Sequence, residues 1–241
     1  MTNYAFIPFR SGSTRLKNKN FKKLNKRPLV FWTAKTAILS NKVDKVILST
    51  DSLNYFKKLI FFLRKDGISL NKIIFDKRKK KYAGSKYKIF DYFKKILTKK
   101  FLFNDEDLII QMLPTLPLRS KIFINKCINI SEKKKINVFS ASEYDFHVSF
   151  AFSITHNNKW KNLFKNSPML TGKTRGQDQK KYFHPNGLIN CIWMKSLKKF
   201  DLKTFYINAK PIISPKLMSF DIDNAEDFEI IKRLSTTNKR I

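Results

Sequence analysis

The feature that most constrains the fold is a regular alternation of short apolar runs with longer amphipathic segments over about the first 140 residues. Short apolar runs are typical of buried strands, and apolar residues spaced three and four apart are typical of helices. The predicted strands are Tyr4–Phe9, Lys45–Ser49, Lys72–Phe75 and Asp107–Met112, and the predicted helices are Pro28–Leu39, Leu53–Arg64, Lys86–Thr98 and Lys121–Ser131. This order predicts an α/β fold with a parallel sheet and right-handed crossovers.

The pattern changes after about residue 140. It predicts strands at Asn137–Ser142, Phe146–Thr155, Leu188–Met194 and Phe205–Asn208, and a last helix at Ala225–Leu234. Between them, His156–Asn186 is polar and has no clean period. Because a structureless loop of ~30 residues is uncommon inside a compact domain, we expect this segment to pack against a second subunit across a two-fold axis. The apolar residues predicted for that interface are Trp160, Leu163, Phe164, Met169 and Leu170.

Composition bounds the class of protein. With 241 residues, of which 42% are hydrophobic, the chain can bury a core, so wholesale disorder is excluded. Cys127 and Cys191 stand far apart, which excludes a disulfide framework and a zinc-ligand spacing and suits a reducing compartment. No apolar run approaches the ~20 residues of a membrane span, and Met1–Tyr4 leads straight into a predicted strand. We therefore expect a soluble, cytoplasmic protein with no membrane partner.

The net charge of +32 is the unusual feature of the composition, with 50 Lys and Arg against 18 Asp and Glu. Such a charge can indicate a nucleic-acid partner. However, only nine of the fifty are Arg, the residue most used for phosphate and base recognition. Lys, Asn, Ile and Phe are all frequent and are all encoded by A/T-rich codons, so codon bias explains much of the excess. An anionic substrate and a nucleic-acid interface stay open as alternatives.

The stretch Ile7–Asn20 is the first candidate site. A buried strand ends there and a polar loop with small residues follows, so backbone N–H groups can turn toward an anion at the carboxyl edge of the sheet. Arg10 can fork onto two phosphate oxygens, and Lys19 can act as a point charge. The loop has neither a Walker sequence nor a GxGxxG fingerprint. The alternative is a solvated basic loop that follows an edge strand.

The second candidate is the pair Asp221 and Asp223 near the end of the chain. On an extended segment two residues that are two apart leave the same face. Two carboxylates that converge at a strand end can hold Mg²⁺, which takes one or two carboxylates together with substrate phosphate oxygens and waters. The alternatives are solvated acids, or Asp223 as N-cap of the helix that begins near Ala225.

Six ordered segments resemble the motifs of one enzyme family. Ile7–Asn20 resembles IPARSGSKRLPNKN, Arg27–Leu29 resembles GKPLI, Val46–Asp51 resembles VIVSTD, Pro114–Arg119 resembles PTSPLR, Arg175–Asp178 with Pro185–Gly187 resembles RRQD…PNGAIY, and Phe220–Asp223 resembles the ID(I/T)D segment before the last helix. The family is that of the CMP–acylneuraminate cytidylyltransferases, or CMP–sialic acid synthetases, which are related to the CMP–KDO synthetases. The resemblance spans nearly the whole chain.

The resemblance implies one cytidylyltransferase domain over residues 1–241, a three-layer Rossmann-like α/β fold with a mainly parallel sheet, and a dimerisation and sugar-site insertion at about 140–187. It implies transfer of CMP from CTP to an acylated nine-carbon keto-acid sugar, with Mg²⁺ as cofactor and a homodimer as assembly. The implied catalytic residues are Arg10, Lys19 and Asp221, and the implied metal ligands are Asp221 and Asp223. CTP would contact Arg10, Ser11, Gly12, Ser13, Lys19, Asn20 and Arg78. The sugar would contact Leu113, Arg175, Gln177, His184 and Asn186.

Departures from the family pattern concentrate at the sugar positions. Leu113 replaces a glutamine, Leu116 a serine, Gly176 and His184 arginines, and Ser85 an aspartate. A sugar wall with less charge and more apolar surface predicts a preference for a deoxy, di-acylamino acid of the legionaminic or pseudaminic type over N-acetylneuraminic acid. A degenerate homologue that binds nucleotide without turnover is the alternative that these losses favour and that Asp221 and Asp223 oppose.

Two further residues have two interpretations each. Asp51 follows a strand and precedes a helix, so capping alone explains it. Arg78 stands where the family has an arginine that faces the nucleotide, but it also begins the charge run Arg78–Lys81, which a solvated surface explains equally well. His147 and His156 have no partner in the sequence pattern and are predicted to be structural or exposed.

Overall fold

The computed structural model describes residues 1–13, 15–84, 87–199 and 202–237, and a seven-stranded sheet forms the centre of this part of the chain. The strands, in chain order, are β1 Asn3–Pro8, β2 Lys23–Leu24, β3 Arg27–Pro28, β4 Lys45–Thr50, β5 Ile73–Lys77, β6 Leu108–Gln111, β7 Asn137–Glu143, β8 Phe152–Ile154, β9 Trp160–Asn162, β10 Phe183–Trp193 and β11 Ala209–Ile213. Strands β2 and β3 form one small ribbon, and β8 and β9 form another.

The α-helices are α1 Leu29–Ile38, α2 Leu53–Lys65, α3 Ile89–Tyr92, α4 Thr98–Lys100, α5 Lys121–Lys134, α6 Pro168–Thr171, α7 Met194–Lys198, α8 Leu202–Ile207 and α9 Ala225–Thr237. A π-helical stretch, Phe93–Leu97, joins α3 to α4. Pro28 immediately precedes α1, where a proline is tolerated. No helix in the described ranges is long and apolar enough to cross a membrane.

The strand order of the central sheet is β11-β7-β10-β6-β1-β4-β5. Strand β1 runs parallel to β4 and β6, β4 runs parallel to β5, and β7 runs parallel to β11. Only β10 runs antiparallel to its neighbours β6 and β7 within the described sheet. The mainly parallel α/β sheet predicted from the alternation of the sequence is therefore confirmed.

The side chains of the central strands alternate between two buried clusters, which gives the molecule its three layers. On β1, Ala5 and Ile7 pack against α1, α2 and α5, whereas Phe6 packs on the other face against the segment that contains Tyr92 and Phe93. Residues Ile47 of β4 and Ile109 of β6 share the face of Phe6. Because both faces are covered, these strands read as continuous apolar runs in the sequence.

The path of the chain creates a crevice at one edge of the sheet. From β1 the chain moves outward through β4 to β5, and it then returns to place β6 on the opposite side of β1. The strand order thus reverses between β1 and β6, and the carboxyl ends of these two strands open onto a crevice where α/β folds commonly bind ligands.

The segment from 144 to 182, here called the arm, lies outside the central sheet. It contains the β8–β9 hairpin and short helical turns, and several of its large apolar side chains are exposed, including Ile154 at 71% and Leu163 at 62%. The predicted strand Phe146–Thr155 is wrong, because Val148–Phe150 forms a 3₁₀ turn and only the three residues of β8 are paired in a strand. In an isolated two-stranded hairpin a strand extends only as far as its partner pairs with it, and β9 pairs with three residues of β8.

The predicted strand Phe205–Asn208 is also wrong, because Phe205–Ile207 lies in α8, Asn208 is in a turn, and the edge strand β11 begins at Ala209. Phe205 is 2% exposed and packs against Phe90 and Phe139 in the second buried cluster. Phe205 is therefore apolar because it is buried against the sheet, and not because it belongs to a strand. A short apolar run cannot by itself distinguish a strand from one turn of buried helix.

Candidate active site

A cleft of about 370 Å³ opens at the switch point between β1 and β6, and we call it the switch-point cleft. It is lined by Pro8, Arg10, Ser13, Arg15, Leu16, Lys19, Asn20, Arg78, Ile89, Leu113, Pro114, Thr115, Asp221 and Asp223. The fold thus brings the basic loop, the paired carboxylates and Arg78 to one place. Size alone does not identify this cleft, because cavities of about 590 and 720 Å³ lie elsewhere.

The loop after β1 is fixed by side chains behind it. The Asp51 carboxylate accepts hydrogen bonds from the backbone N–H and the hydroxyl of Ser11, both at 2.8 Å. Buried Asn20 donates its Nδ2 to the Arg10 carbonyl at 2.9 Å, and Arg10 donates Nη1 to the Ala83 carbonyl at 3.1 Å. The loop is therefore held in one shape by bonds that span the site, which favours a binding loop over a solvated one.

These contacts correct the interpretation of Asp51 and change that of Ser11. The helix cap of α2 is Ser52, whose hydroxyl accepts from the Tyr55 N–H at 3.2 Å, so Asp51 is not needed as a cap. Ser11 was predicted to offer its N–H to the nucleotide, but that N–H is donated to Asp51. Gly12 is exposed and Ser13 lines the cleft, and Thr14 lies outside the described residues.

Asp223 is held by two cations of the loop. Arg15 Nη1 lies 2.8 Å from Asp223 Oδ2, and Lys19 Nζ lies 3.3 Å from Oδ1. Lys19 also donates to the Ile222 carbonyl at 2.7 Å, and its side chain is only 14% exposed. The basic loop and the carboxylate segment therefore meet directly across the cleft.

The carboxylate segment is not the end of a strand, as was predicted, because residues 220–223 have no regular secondary structure. It is fixed at buried Ile222, whose N–H donates to the Thr115 carbonyl at 3.0 Å. The alternative interpretation, in which Asp223 is the N-cap of the last helix, does not hold either. Asn224 Oδ1 accepts from the Asp227 N–H, and Asp227 accepts from the Asn224 N–H, which is a reciprocal capping box. The Asp223 carboxylate is thereby left to the cleft.

The environment of Asp221 suits a cation. Partial burial against the cleft wall raises the pKa of Asp221, and the negative charge of Asp223 raises it further, while Thr115 and Lys19 act in the opposite direction. Its side chain is nevertheless open to the solvent that fills the cleft. Asp221 and Asp223 are carboxylates of the kind that can hold Mg²⁺ together with substrate phosphate oxygens, and Arg15 and Lys19 compete with such a cation for Asp223. No cluster of three or more acidic, His or Cys ligands occurs in the described ranges.

Arg78 is not part of a solvated charge run. Its side chain is buried and lines the switch-point cleft, whereas Lys79, Lys80 and Lys81 are exposed. Arg78 Nη2 donates to the Ser49 carbonyl at 3.0 Å. Burial lowers the pKa of Arg78, and the nearby Tyr92 and Asp76 oppose this shift. The structure therefore favours the interpretation in which Arg78 faces a ligand.

The predicted sugar residues divide between several places. Leu113 lines the switch-point cleft and packs near Gly187, where an added Cβ would lie 3.3 Å from Leu113 Cδ1. His184 lines the 590 Å³ cavity and packs against Tyr144, with the ring centroids 4.7 Å apart and the rings tilted by 48°. Arg175 lines the 720 Å³ groove of the arm, and Gln177 is exposed on a neighbouring 3₁₀ turn. Ser85, the fifth departure from the family pattern, lies outside the described residues.

Asn186 has a structural role. Its Oδ1 accepts from the Ser140 hydroxyl at 2.6 Å and from the Leu188 N–H at 3.1 Å. Its Nδ2 donates to the hydroxyls of Ser142 and Ser214 at 2.7 and 2.8 Å. This amide thus ties β10 to β7 beside the irregular register between Pro185 and Asn190.

Arg119 is a residue that the sequence reasoning missed. It is 4% exposed, and its guanidinium donates to the carbonyls of Leu188 and Leu113 and to the Thr33 hydroxyl. It thereby fixes the end of β6 against β10 and shapes one wall of the cleft. Its place in the segment Pro114–Arg119 was noted, but an arginine without a nearby acid in the sequence gives no sign that it is buried.

The chain is similar to several known proteins. Residues 4–59 match the family model described as Cytidylyltransferase. The chain is 25% identical to the pseudaminic acid cytidylyltransferase of Campylobacter jejuni over 240 residues, which cover 99% of this chain and 98% of that one. It is 26% identical to the CMP-N,N'-diacetyllegionaminic acid synthase of Legionella pneumophila, over 98% of this chain and 97% of that one.

Some relatives are about twice as long as this chain. The chain is 28% identical to the N-acylneuraminate cytidylyltransferase of Escherichia coli over 94% of its own length, but it spans only 50% of that protein. Solved structures share the fold. The CMP:2-keto-3-deoxy-manno-octonic acid synthetase complexed with CTP superposes with a TM-score of 0.64 at 13% identity, over 98% of this chain and 99% of that one. The 4-diphosphocytidyl-2C-methyl-D-erythritol synthase of Anaerococcus prevotii superposes with a TM-score of 0.63 at 14% identity, over 98% of each chain.

The arrangement of the cleft, the order of the motifs and the relatives point to one conclusion. The predicted Rossmann-like nucleotidyltransferase fold is confirmed by the sheet order and by the solved structures. The full-length relatives match over nearly the whole chain. These findings confirm that the chain resembles the CMP–acylneuraminate cytidylyltransferases, as its motifs predict.

Proposed function

We propose that this chain is a CTP-dependent cytidylyltransferase that transfers CMP from CTP to a nine-carbon keto-acid sugar and releases pyrophosphate. The observation that carries the proposal is the meeting of Arg10, Lys19, Asp221 and Asp223 in the switch-point cleft. Cations and carboxylates in one crevice are what a metal–triphosphate substrate requires. The relatives whose names state this activity support it.

The reaction needs positioning and charge neutralisation more than covalent catalysis. The anomeric hydroxyl oxygen of the sugar attacks the α-phosphorus in line, its proton passes to solvent, and the bond to the β-phosphate breaks. Arg10 and Lys19 neutralise the phosphates, and Asp51 keeps their loop in shape through Ser11. Mg²⁺, when held by Asp221 and Asp223 with phosphate oxygens, supplies further positive charge at the triphosphate.

The test is Mg²⁺-dependent release of pyrophosphate from CTP with a panel of keto-acid sugars. Asp221→Asn and Asp223→Asn should each lower turnover by ~10²–10³ without loss of fold, because each removes a charge and little volume. Asp105→Asn, an exposed acid at the amino end of β6, is the matched control and should turn over normally. Full activity in both cleft variants would refute the metal assignment.

A second variant pair tests the loop. Lys19→Ala should raise the KM for CTP and lower turnover, because Lys19 is a largely buried cation that lines the cleft. Lys45→Ala, at the exposed start of β4, is the control of equal charge change. Normal CTP kinetics in Lys19→Ala would show that Lys19 does not take part in CTP binding or turnover.

For the sugar we propose a deoxy, di-acylamino nine-carbon acid of the pseudaminic or legionaminic type. Leu113 supports this, because it presents an apolar side chain to the switch-point cleft where the family has a glutamine. Two full-length relatives carry the names of such sugars. The decisive measurement is kcat/KM for a di-acylamino acid and for N-acetylneuraminic acid, in the wild type and in Leu113→Gln. A wild type that prefers N-acetylneuraminic acid would overturn this part of the proposal.

We propose further that two copies pair through their arms. Apolar surface is exposed on the β8–β9 hairpin and beside it, at Ile154, Trp160 and Leu163. Arg175, also in the arm, lines the 720 Å³ groove and does not line the switch-point cleft. A two-fold interface buries such a surface against its own copy. We propose that in this assembly each arm brings Arg175 to the partner's cleft, so that the two chains share the sugar site.

A further inference from the structure

A buried polar cluster lies directly behind Arg78, and the proposed reaction gives it no role. Its centre is Asp76 of β5, whose side chain is 0% exposed. The Asp76 carboxylate accepts from the Ser49 hydroxyl at 2.6 Å, from the Tyr92 hydroxyl at 2.8 Å and from Lys100 Nζ at 2.5 Å. Asp76 and Tyr92 lie outside all six family-like segments.

A carboxylate in this position is costly unless it is paired and hydrogen-bonded. Its neighbours on β5, Ile74 and Phe75, are apolar, and an apolar side chain at position 76 would fill the same space without that cost. The cluster satisfies the carboxylate well. Burial and the charge of Asp76 raise the pKa of Tyr92, so the phenol stays protonated and remains a donor to Asp76.

The cluster makes both of the contacts that hold the Arg78 guanidinium from behind. Arg78 Nη2 donates to the carbonyl of Ser49, and the Arg78 guanidinium lies 5.5 Å from the centroid of the Tyr92 ring. Asp76 binds the side chains of both residues. The carboxylate also supplies negative charge close to a cation that burial would otherwise destabilise.

The guanidinium keeps donors for a ligand. Arg78 is 5% exposed and lines the switch-point cleft, and its Nε has no hydrogen-bond partner within the described part of the chain. A buried donor without a partner is costly, and an oxyanion in the cleft would satisfy it. The geometry is that of an arginine held from one side and open on the other.

We propose that Asp76, Ser49 and Tyr92 form a platform that positions the Arg78 guanidinium against an acceptor oxygen of CTP. The three are positioning residues that act through Arg78 and do not touch the substrate. The identity of the ligand rests on the proposed function, whereas the platform itself rests on the contacts above.

The first test removes one hydroxyl. Tyr92→Phe keeps the ring under Arg78 but deletes its bond to Asp76, and it should weaken CTP binding about tenfold in calorimetry with Mg²⁺ and no sugar. The KM for CTP should rise accordingly while the KM for the sugar stays unchanged. Tyr87→Phe, on the segment just before α3, is the matched control and should bind CTP as the wild type does. Asp76→Asn, which keeps the volume, should reproduce the loss.

The second test asks whether the effect passes through Arg78. In a double-mutant cycle, Tyr92→Phe combined with Arg78→Gln should bind CTP no more weakly than Arg78→Gln alone. Losses that add would show that Tyr92 acts elsewhere and would overturn the platform, as would unchanged CTP binding in Tyr92→Phe. A wild type that does not bind CTP at all would refute the proposed function instead, so the two failures are distinguishable.

Discussion

At the scale of single residues, the switch-point cleft holds its own counter-ions. Asp223 is bonded to Arg15 and Lys19, although their surroundings differ: the Arg15 side chain is 69% exposed and that of Lys19 is 14% exposed. An exposed ion pair contributes little to stability. The Arg15 contact is therefore easily exchanged for another cation, whereas Lys19 is also held by the Ile222 carbonyl.

This difference predicts the behaviour of Arg15→Gln. Removing a cation that competes for the Asp223 carboxylate should tighten Mg²⁺ binding by up to about fivefold, a modest factor because the pair is exposed. Titration of the nucleotide-free protein with Mg²⁺ measures this directly. Arg64→Gln, in the last turn of α2, is the charge-matched control. Weaker metal binding in Arg15→Gln would contradict the competition between the two cations.

Arg119 gives the second prediction at this scale. Its guanidinium satisfies two carbonyls and one hydroxyl in the interior, so Arg119→Met should leave these acceptors without donors. We expect a loss of about 3 kcal/mol in the free energy of unfolding, measured by urea denaturation. Arg64→Met should cost little, because Arg64 is exposed. A stability equal to that of the wild type in Arg119→Met would show that these acceptors find other partners.

At the scale of elements, α9 shows how a helix end serves the site. The capping box of Asn224 and Asp227 fixes the first turn, and the Asp223 N–H also donates to Asp227 at 2.8 Å. The helix therefore orients the carboxylate that precedes it. A cap built from Asp223 itself would have removed that carboxylate from the cleft.

Asn224→Ala should accordingly destabilise the protein by about 1 kcal/mol and also raise the Mg²⁺ concentration needed for half-maximal turnover. Urea denaturation and a metal titration of activity measure the two effects. Because Asn224 and Asp227 share one box, the double change with Asp227→Ala should cost less than the sum of the single changes. A stability loss without any change in metal dependence would separate the cap from the site.

The elements that the sequence predicts well are those whose signal is local. Strands β1, β4, β5 and β6 are buried on both faces and read as apolar runs. The first half of β10 is not predicted, because Phe183–Asn186 is polar or exposed and so lacks the apolar run that indicates a buried strand. This part of β10 pairs with β7 alone in the described sheet. The strand predicted at Phe205 is wrong because Phe205 is buried by residues distant in the chain, Phe90 and Phe139, and not within a strand of its own.

The site residues that could be predicted are likewise those with a local sequence signal. Arg10, Lys19, Asp221 and Asp223 could be proposed from a motif, because each lies in a short segment with its own chemistry. The roles of Asp51 and Arg78 could not be settled, because each depends on a partner 29 to 40 positions away: Ser11 for Asp51, and Ser49 for Arg78. From their sequence neighbours alone, Asp51 is interpreted as a helix cap and Arg78 as part of a solvent-exposed run of charged residues.

At the scale of the whole molecule, arginine and lysine are used differently. Of the nine arginines, Arg10, Arg15, Arg78 and Arg119 line the switch-point cleft or support its wall. Most lysines stand on the exposed surface, as Lys79, Lys80 and Lys81 do. Four of the nine arginines thus lie at or behind one crevice while the lysines are spread over the surface, which favours an anionic small-molecule substrate over a nucleic-acid interface.

The arm gives the last prediction, Ile154→Glu. Ile154 is 71% exposed on the β8–β9 hairpin, so a charge there should leave the fold of the free chain intact while it opposes burial against a second copy. We expect a dimer for the wild type and a monomer for the variant in sedimentation velocity at micromolar concentration. Turnover should fall at least about tenfold, because an arm that no longer reaches the partner's cleft cannot position the sugar there.

The control for this prediction is Ile122→Glu on α5, which is 75% exposed and lies far from the arm in the chain. It should remain dimeric and active. CTP binding should survive in Ile154→Glu, because the loop after β1 and the carboxylates belong to one chain. A wild type that sediments as a monomer with full activity would refute the shared site, since each cleft would then be complete without the partner.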